Sequence, residues 1–386
     1  MSLGVSLPDR AGQARHHQYE RLDSLRGLAA LTVGIGHAVL SLNFSPGSPI
    51  RMFVLGLFNA NYAVDMFFVL SGFVLQNMLT GFTIEHHAAY WLRRLARIYP
   101  LLWISLLAGA AAAGFANYFA QAPESSLVFS NWIRDLIILP HTPIQVIRDL
   151  IPVDYNLNPV VWTIRIEIEA SILYPLLVFA WRRSAGGWKL AILASTLGLS
   201  WLIHNELPHY LYMFVVGLAL ADLRDMRLRV HGARILLCLA LGLLLMSGFW
   251  LRGHSFTADF VAAMSSALII YITAYHCPRG LLAFLSLKPL RHLGRLSYAY
   301  YLFNAIALWS LVRIATAYGL GQGWSVGDAS QILRATLLMM PALVVTLVVS
   351  ELVHRYVEIP SIVFGRGVQR AVLRRFSEPS LGRASH

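Results

Sequence analysis

Residues 21–37 read RLDSLRGLAALTVGIGH. From Gly27 to Gly36 every residue is apolar or small, yet Asp23 and Arg26 stand at the entrance and His37 at the far end. On a helix the eleven residues from Arg26 to His37 rise ~16 Å and turn about three times plus ~20°, so the two side chains share one face. The imidazole would then lie about half of a ~30 Å hydrocarbon core deeper than the guanidinium. An ionisable residue at that depth marks a functional site by default. The plainer alternative is a histidine buried against a neighbouring helix and satisfied by one hydrogen bond. Both stay open on this stretch alone.

Working outward, the chain of 386 residues is 57% hydrophobic and only 13% charged, where soluble domains carry about 25%. Its mean hydropathy is +0.60. This places it among membrane proteins with many spans. The first twenty residues are polar and no small-residue cleavage site follows, so the first apolar run is expected to be a retained span. A net charge of +12 would suggest nucleic acid in a soluble protein, but loop charge accounts for it here and no nucleic-acid partner is expected. The two cysteines, Cys238 and Cys277, have no metal-ligand spacing, and no metal site is expected.

The expected class is an all-α polytopic membrane protein. Ten apolar segments fall near 24–42, 61–80, 98–119, 159–181, 189–204, 208–222, 233–251, 257–275, 294–316 and 331–354. Most of the 31 basic residues then collect in alternate loops: Arg10 to Arg26, Arg93 to Arg97, Arg182 to Lys189, Arg224 to Arg234, Arg279 to Arg295, and Arg355 onward. That alternation predicts an even number of spans with both termini in the cytoplasm. Residues 1–20 read as a cytoplasmic tail, 21–360 as the membrane domain, and 361–386 as a basic tail suited to an anionic leaflet. The opposite side has one long loop, about 120–158, punctuated by prolines. It has no obvious structure and is expected to cover the outer mouth as a lid.

Several polar residues sit where lipid would reject them. Asp65 enters the second span from the outer side, suited to pairing with Arg165 or orienting a substrate. Ser71 and Gly72 follow near mid-depth, where small residues let another helix or a thin ligand approach. Arg94 and Arg97, three apart, share a face at the inner surface. They suit phosphate groups, or are ordinary basic flanks. Arg165 and Glu169 are spaced to pair within one helix. Glu167 is left over ~12 Å in from the outer end, and His37 is its expected partner. Ser297, Tyr298, Tyr300, Tyr301 and Asn304 make the ninth span polar and aromatic, either a site or an interfacial belt. Glu358 is expected to serve an inner arginine. His37, Asp65 and Glu167 could alternatively form the proton relay of a transporter or permease.

Together, RLDSLRG with His37, VDMFFVLSGFVL, RRLARIYP, VVWTIRIE, LGRLSYAYYL and YVEIP, in that order from about Arg21 to Pro360, resemble the acyltransferase-3 family of integral membrane O-acyltransferases. The resemblance implies about ten transmembrane helices around a central tunnel. It also implies a bacterial inner-membrane enzyme that moves an acyl group, most simply from acetyl-CoA, to a hydroxyl of an extracytoplasmic carbohydrate or lipid-linked glycan. Acyl-CoA is then a co-substrate and no permanently bound cofactor is expected; the partners are donor, acceptor and membrane lipids. The resemblance implies that His37 is the base with Arg26 its companion and that Arg94 and Arg97 belong to the donor-facing surface, while Asp23 and Glu167 match acidic positions of the pattern. From the residues themselves, Glu167 is expected beside His37, Arg26 with the donor-side arginines, and Asp65, Ser71, Tyr298 and Asn304 at the substrate. The family pattern often has a histidine at Asn304, and a Phe–Tyr pair at Ala170 and Ser171. These departures are expected to touch the acceptor or helix contacts rather than the basic reaction. Many relatives carry a C-terminal hydrolase-like domain; the sequence after Pro360 is too short for one, so direct action on the acceptor is expected.

Overall fold

Helix α1 (Arg10–Leu40) lies lengthwise along α12 (Lys288–Ala317), and this pair is the axis of the molecule. The computed structural model describes residues 10–44, 47–79, 81–119, 129–138, 142–203, 205–226, 228–250, 255–276, 282–320 and 329–377. Between α1 and α12 the backbones touch. A Cβ built on Gly294 would stand 2.2 Å from the Asp23 carbonyl oxygen, so only glycine fits. Such close approach is how helices associate in lipid, where apolar burial between them supplies little drive. Buried Ser24 donates to the Leu285 carbonyl (2.6 Å), and Arg291 pairs with Glu20 (2.7 Å) at the same end.

The remaining helices are α2 (Pro49–Leu57), α3 (Ala60–Leu75), α4 (Ile84–Phe119), α5 (Asn131–Arg134), α6 (Pro143–Leu150), α7 (Val161–Arg183), α8 (Gly186–Leu202), α9 (Glu206–Ala219), α10 (Val230–Trp250), α11 (Phe256–Tyr271), α13 (Ala329–Val353) and α14 (Ile359–Ser377). The only β pairing among the described residues is an isolated bridge, Leu42 with Phe129. The protein is an all-α polytopic membrane protein. Each of the ten expected segments falls on one helix: α1, α3, α4 and α7 to α13. By length and composition, six stretches of the described residues can cross a membrane: 49–75, 84–115, 230–249, 256–276, 288–317 and 336–372. Of the other four segments, α8 and α9 have only 17 and 14 residues. The remaining two, α1 and α7, hold Asp23 and Arg26, and Arg165, Glu167 and Glu169.

Several boundaries differ from the expected ones. Helix α1 runs unbroken through residue 20, and α4 begins fourteen residues before the expected third span, so Arg93, Arg94 and Arg97 are helical. The basic flanks do structural work. Arg93 donates to the Met78 carbonyl, and Arg182 to those of Gln76 and Leu79 (both 3.1 Å). They thereby satisfy carbonyls of the C-cap and the turn that follows α3.

Among its described residues, the long segment between α4 and α7 is not a structureless loop. Thr142 and Gln145 form a reciprocal cap at the start of α6, with Pro143 in the first turn, a signature readable in the sequence HTPIQ. Upstream, buried Phe129 bridges Leu42, and Ser130 donates through its amide to the Ser41 carbonyl (3.0 Å) and through Oγ to that of Leu40 (2.6 Å). On the other side the Trp309 indole donates to the Arg134 carbonyl (3.3 Å). Short α5 is therefore strung between the end of α1 and the C-terminal half of α12.

Candidate active site

His37 occupies the last turn of α1. Its Nδ1 lies 2.7 Å from Oδ1 of Asn304, which is fully buried on α12. The Asn304 amide nitrogen donates to the carbonyls of Tyr300 (3.2 Å) and Tyr301 (2.5 Å). The amide is thus held with its oxygen toward the imidazole, and that oxygen only accepts. His37 must donate from Nδ1, so in the neutral ring the lone pair is on Nε2. Asn304 is the seventeenth of thirty residues in α12, about 24 Å from the start of that helix and ~20 Å from its end. Though it ends α1, His37 therefore sits half-way along the longest neighbour. The Trp132 ring of α5 covers it, with centroids 5.4 Å apart.

A second cluster lies toward the arginine-rich end. Arg94, almost wholly buried, directs Nη1 and Nη2 to Oε1 of Glu167 (3.1 Å each) and Nη2 to Oγ of Ser171 (2.6 Å). Ser171 in turn donates to the Glu167 carbonyl (2.5 Å), and Ser71 to Oε1 of Glu167 (3.5 Å). Beside this pair is a cavity of about 70 Å³, lined among others by Arg26, Arg97, Glu167, Ser71, Tyr298 and Tyr301. Arg26 has Asp23 at 3.8 Å, while Glu167 is already engaged by Arg94. Two guanidinium groups on one small cavity form an electropositive recess. His37 does not line it; Tyr301 borders both regions, since it lines the cavity and offers its carbonyl to Asn304.

An acyltransferase-domain family profile matches residues 19–351. The chain belongs to the acyltransferase-3 family. Neither a curated protein nor a solved structure matches it at a significant level. His37, Asn304 and the whole Arg94–Glu167 cluster of this membrane acyltransferase fall inside the matched span, while Glu358 and α14 lie beyond it.

The acyltransferase corrects several pairings expected from spacing. Glu167 meets Arg94 rather than His37. Arg165 does pair with Glu169 (2.8 Å) and also donates to the Val153 carbonyl (3.1 Å), but not to Asp65. Asp65 is buried on α3, and its Oδ2 has no partner among the described residues. Nearby Asp259 is taken by His209 (2.8 Å). Glu358 pairs with His354 one turn earlier (2.7 Å), not with an inner arginine. The tyrosines of α12 are no interfacial belt: Tyr300 and Tyr301 are buried, Tyr301 donates to the Val160 carbonyl (3.3 Å), and Tyr298 donates to that of Ile98 (2.9 Å). At both departures from the family pattern the residue present contacts a candidate site residue: Asn304 meets His37 and Ser171 meets Arg94. A relay through His37, Asp65 and Glu167 has no continuous hydrogen-bonded path among the described residues, because each is engaged elsewhere or unpartnered. Of the substrate candidates, Ser71 and Tyr298 line the cavity, and Asp65 does not. Trp132 carries no signal in the sequence, because the residue it covers lies 95 positions earlier.

Proposed function

We propose that this acyltransferase transfers an acyl group, acetyl in the simplest case, from acyl-CoA to a hydroxyl of a carbohydrate or lipid-linked glycan. The donor enters from the cytoplasm and the acceptor from the opposite side of a bacterial inner membrane. The observation that carries the reading is the 2.7 Å contact between Nδ1 of His37 and Oδ1 of Asn304, from which the tautomer follows. With Nδ1–H committed to Asn304, Nε2 is the base. It takes the proton of the acceptor hydroxyl as the oxygen attacks the thioester carbonyl. The C–S bond then breaks, the ester leaves, and Nε2–H returns the proton to the CoA thiolate. Arg26 and Arg97 supply positive charge for the anionic donor, about three helical turns from the imidazole along α1. The thioester arm spans that distance.

An acyl-His37 intermediate is the competing chemistry, and radiolabelled acetyl-CoA without acceptor distinguishes the two by whether label stays on the protein. The main test is release of free CoA thiol by purified protein with acetyl-CoA and glycan pools. His37→Ala is expected to lower acceptor-dependent release by about 10²–10⁴-fold, the usual contribution of a general base. Asn304→Leu is expected to lower kcat more than it raises either KM, because the imidazole is retained but unheld. No release by the wild-type protein, or equal release by His37→Ala, sinks the assignment.

A further inference from the structure

The α5 turn is a small element held with unusual care. Phe129 and Ser130 fasten it to the last residues of α1, and the Arg134 carbonyl fastens it to Trp309 of α12. Ile133, fully buried, anchors it from within. Trp309 is five residues past Asn304, so ~7.5 Å farther toward the C-terminal end of α12. The turn therefore sits directly on that side of the His37–Asn304 pair, the side assigned above to the acceptor.

Trp132 is what this fixed turn presents. Unlike its neighbour Ile133, it is not packed away: it is 38% exposed, with its ring tilted 42° against the His37 imidazole. Asn131 and Asp135, both exposed, stand on either side of it in the chain. A flat, rigid, apolar face with an electron-rich surface, flanked by hydrogen-bonding groups, has the chemistry that receives the C–H face of a pyranose ring while its hydroxyls meet polar partners. The indole lies against the His37 imidazole and leaves part of its surface open.

We propose that Trp132 is the stacking platform of the acceptor subsite, holding a sugar ring so that one hydroxyl reaches Nε2 of His37. This rests on the reading above that the acceptor is a carbohydrate.

Binding without turnover separates the two claims. Saturation-transfer NMR on the purified His37→Ala protein, with methyl β-glucoside, methyl β-galactoside, methyl α-mannoside and N-acetylglucosamine as probes, is expected to label the ring C–H protons of at least one sugar. Adding Trp132→Ala should cut that signal at least fivefold, and adding Trp132→Phe should keep most of it, with all three proteins melting within a few degrees of one another. Equal signals with and without the indole overturn the proposal, as does the absence of signal in all of the proteins or a parallel loss of melting temperature. Indole-dependent sugar binding by a protein whose wild type releases no CoA would leave the subsite standing and remove the transferase reading.

Discussion

Arg94 and Glu167 pose the sharpest question about individual side chains. Arg94 is buried and Glu167 half-buried, with Ser171 as third member, so removing Glu167 leaves a buried guanidinium without its carboxylate, whereas removing Arg94 leaves a carboxylate that still faces Arg26 and Arg97 across the cavity. Glu167→Gln is expected to cost about 3–5 kcal/mol and Arg94→Met less, and Arg94→Met with Glu167→Leu should recover most of the larger loss. Denaturation of the three variants checks this. If the pair is only a brace, the double variant also recovers CoA release; if Glu167 takes part in the reaction, stability returns without activity. At this scale the sequence was legible by type but not by partner. His37, Asn304 and Glu167 stand out as polar residues in apolar surroundings, and Arg94 as one of a basic pair three residues apart. Spacing along one helix correctly pairs Arg165 with Glu169, because i,i+4 geometry is local. It could not pair Glu167 with Arg94, which lies 73 residues away, since several cations of suitable depth competed for one carboxylate.

Among elements, the segment between α4 and α7 has two kinds of fastening. Arg148 and Asp154 form an exposed bidentate pair (2.8 and 2.9 Å), and the guanidinium holds the Asp154 carboxyl below its ordinary range. A carboxylate depressed on folding adds stability that is present above its unfolded value of about 3.9 and is lost as pH falls through the lower folded value. The clasp is therefore intact at pH 5 as at pH 7. Exposed pairs contribute little in any case. Phe129 is buried, and emptying such a site costs about 3–5 kcal/mol. Hydrogen exchange across residues 129–138 is expected to accelerate strongly in Phe129→Ala and hardly at all in Asp154→Ala, at either pH. The reverse order would show that the clasp, not the buried ring, holds α5. The cap of α6 was present in the sequence as Thr-Pro-x-Gln. The α5 turn was not, because its order comes from contacts with α1 and α12 and not from its own four residues.

For the molecule as a whole, the helix pattern was the most legible feature. A run of apolar residues long enough to become a helix declares itself without reference to anything distant, and each expected segment has its helix. Charge alternation makes a further claim that thiol labelling can decide. With Cys238 and Cys277 replaced by serine, Ile144→Cys is expected to react in intact cells with a membrane-impermeant maleimide, and Gly187→Cys only after permeabilisation. Opposite labelling would invert the protein, and with it the donor and acceptor sides.

The contact between His37 and Asn304 joins residues 267 positions apart, and this carries a consequence for biogenesis. The first helix enters the bilayer while more than half of the chain is still unmade, so the nascent histidine waits for its asparagine until α12 leaves the ribosome. Chains stopped before residue 304 are therefore expected to insert yet remain open at their centre. In pulse–chase experiments they should be cleared by membrane proteases faster than chains stopped after α13. Equal lifetimes would mean that the early helices close on themselves without α12.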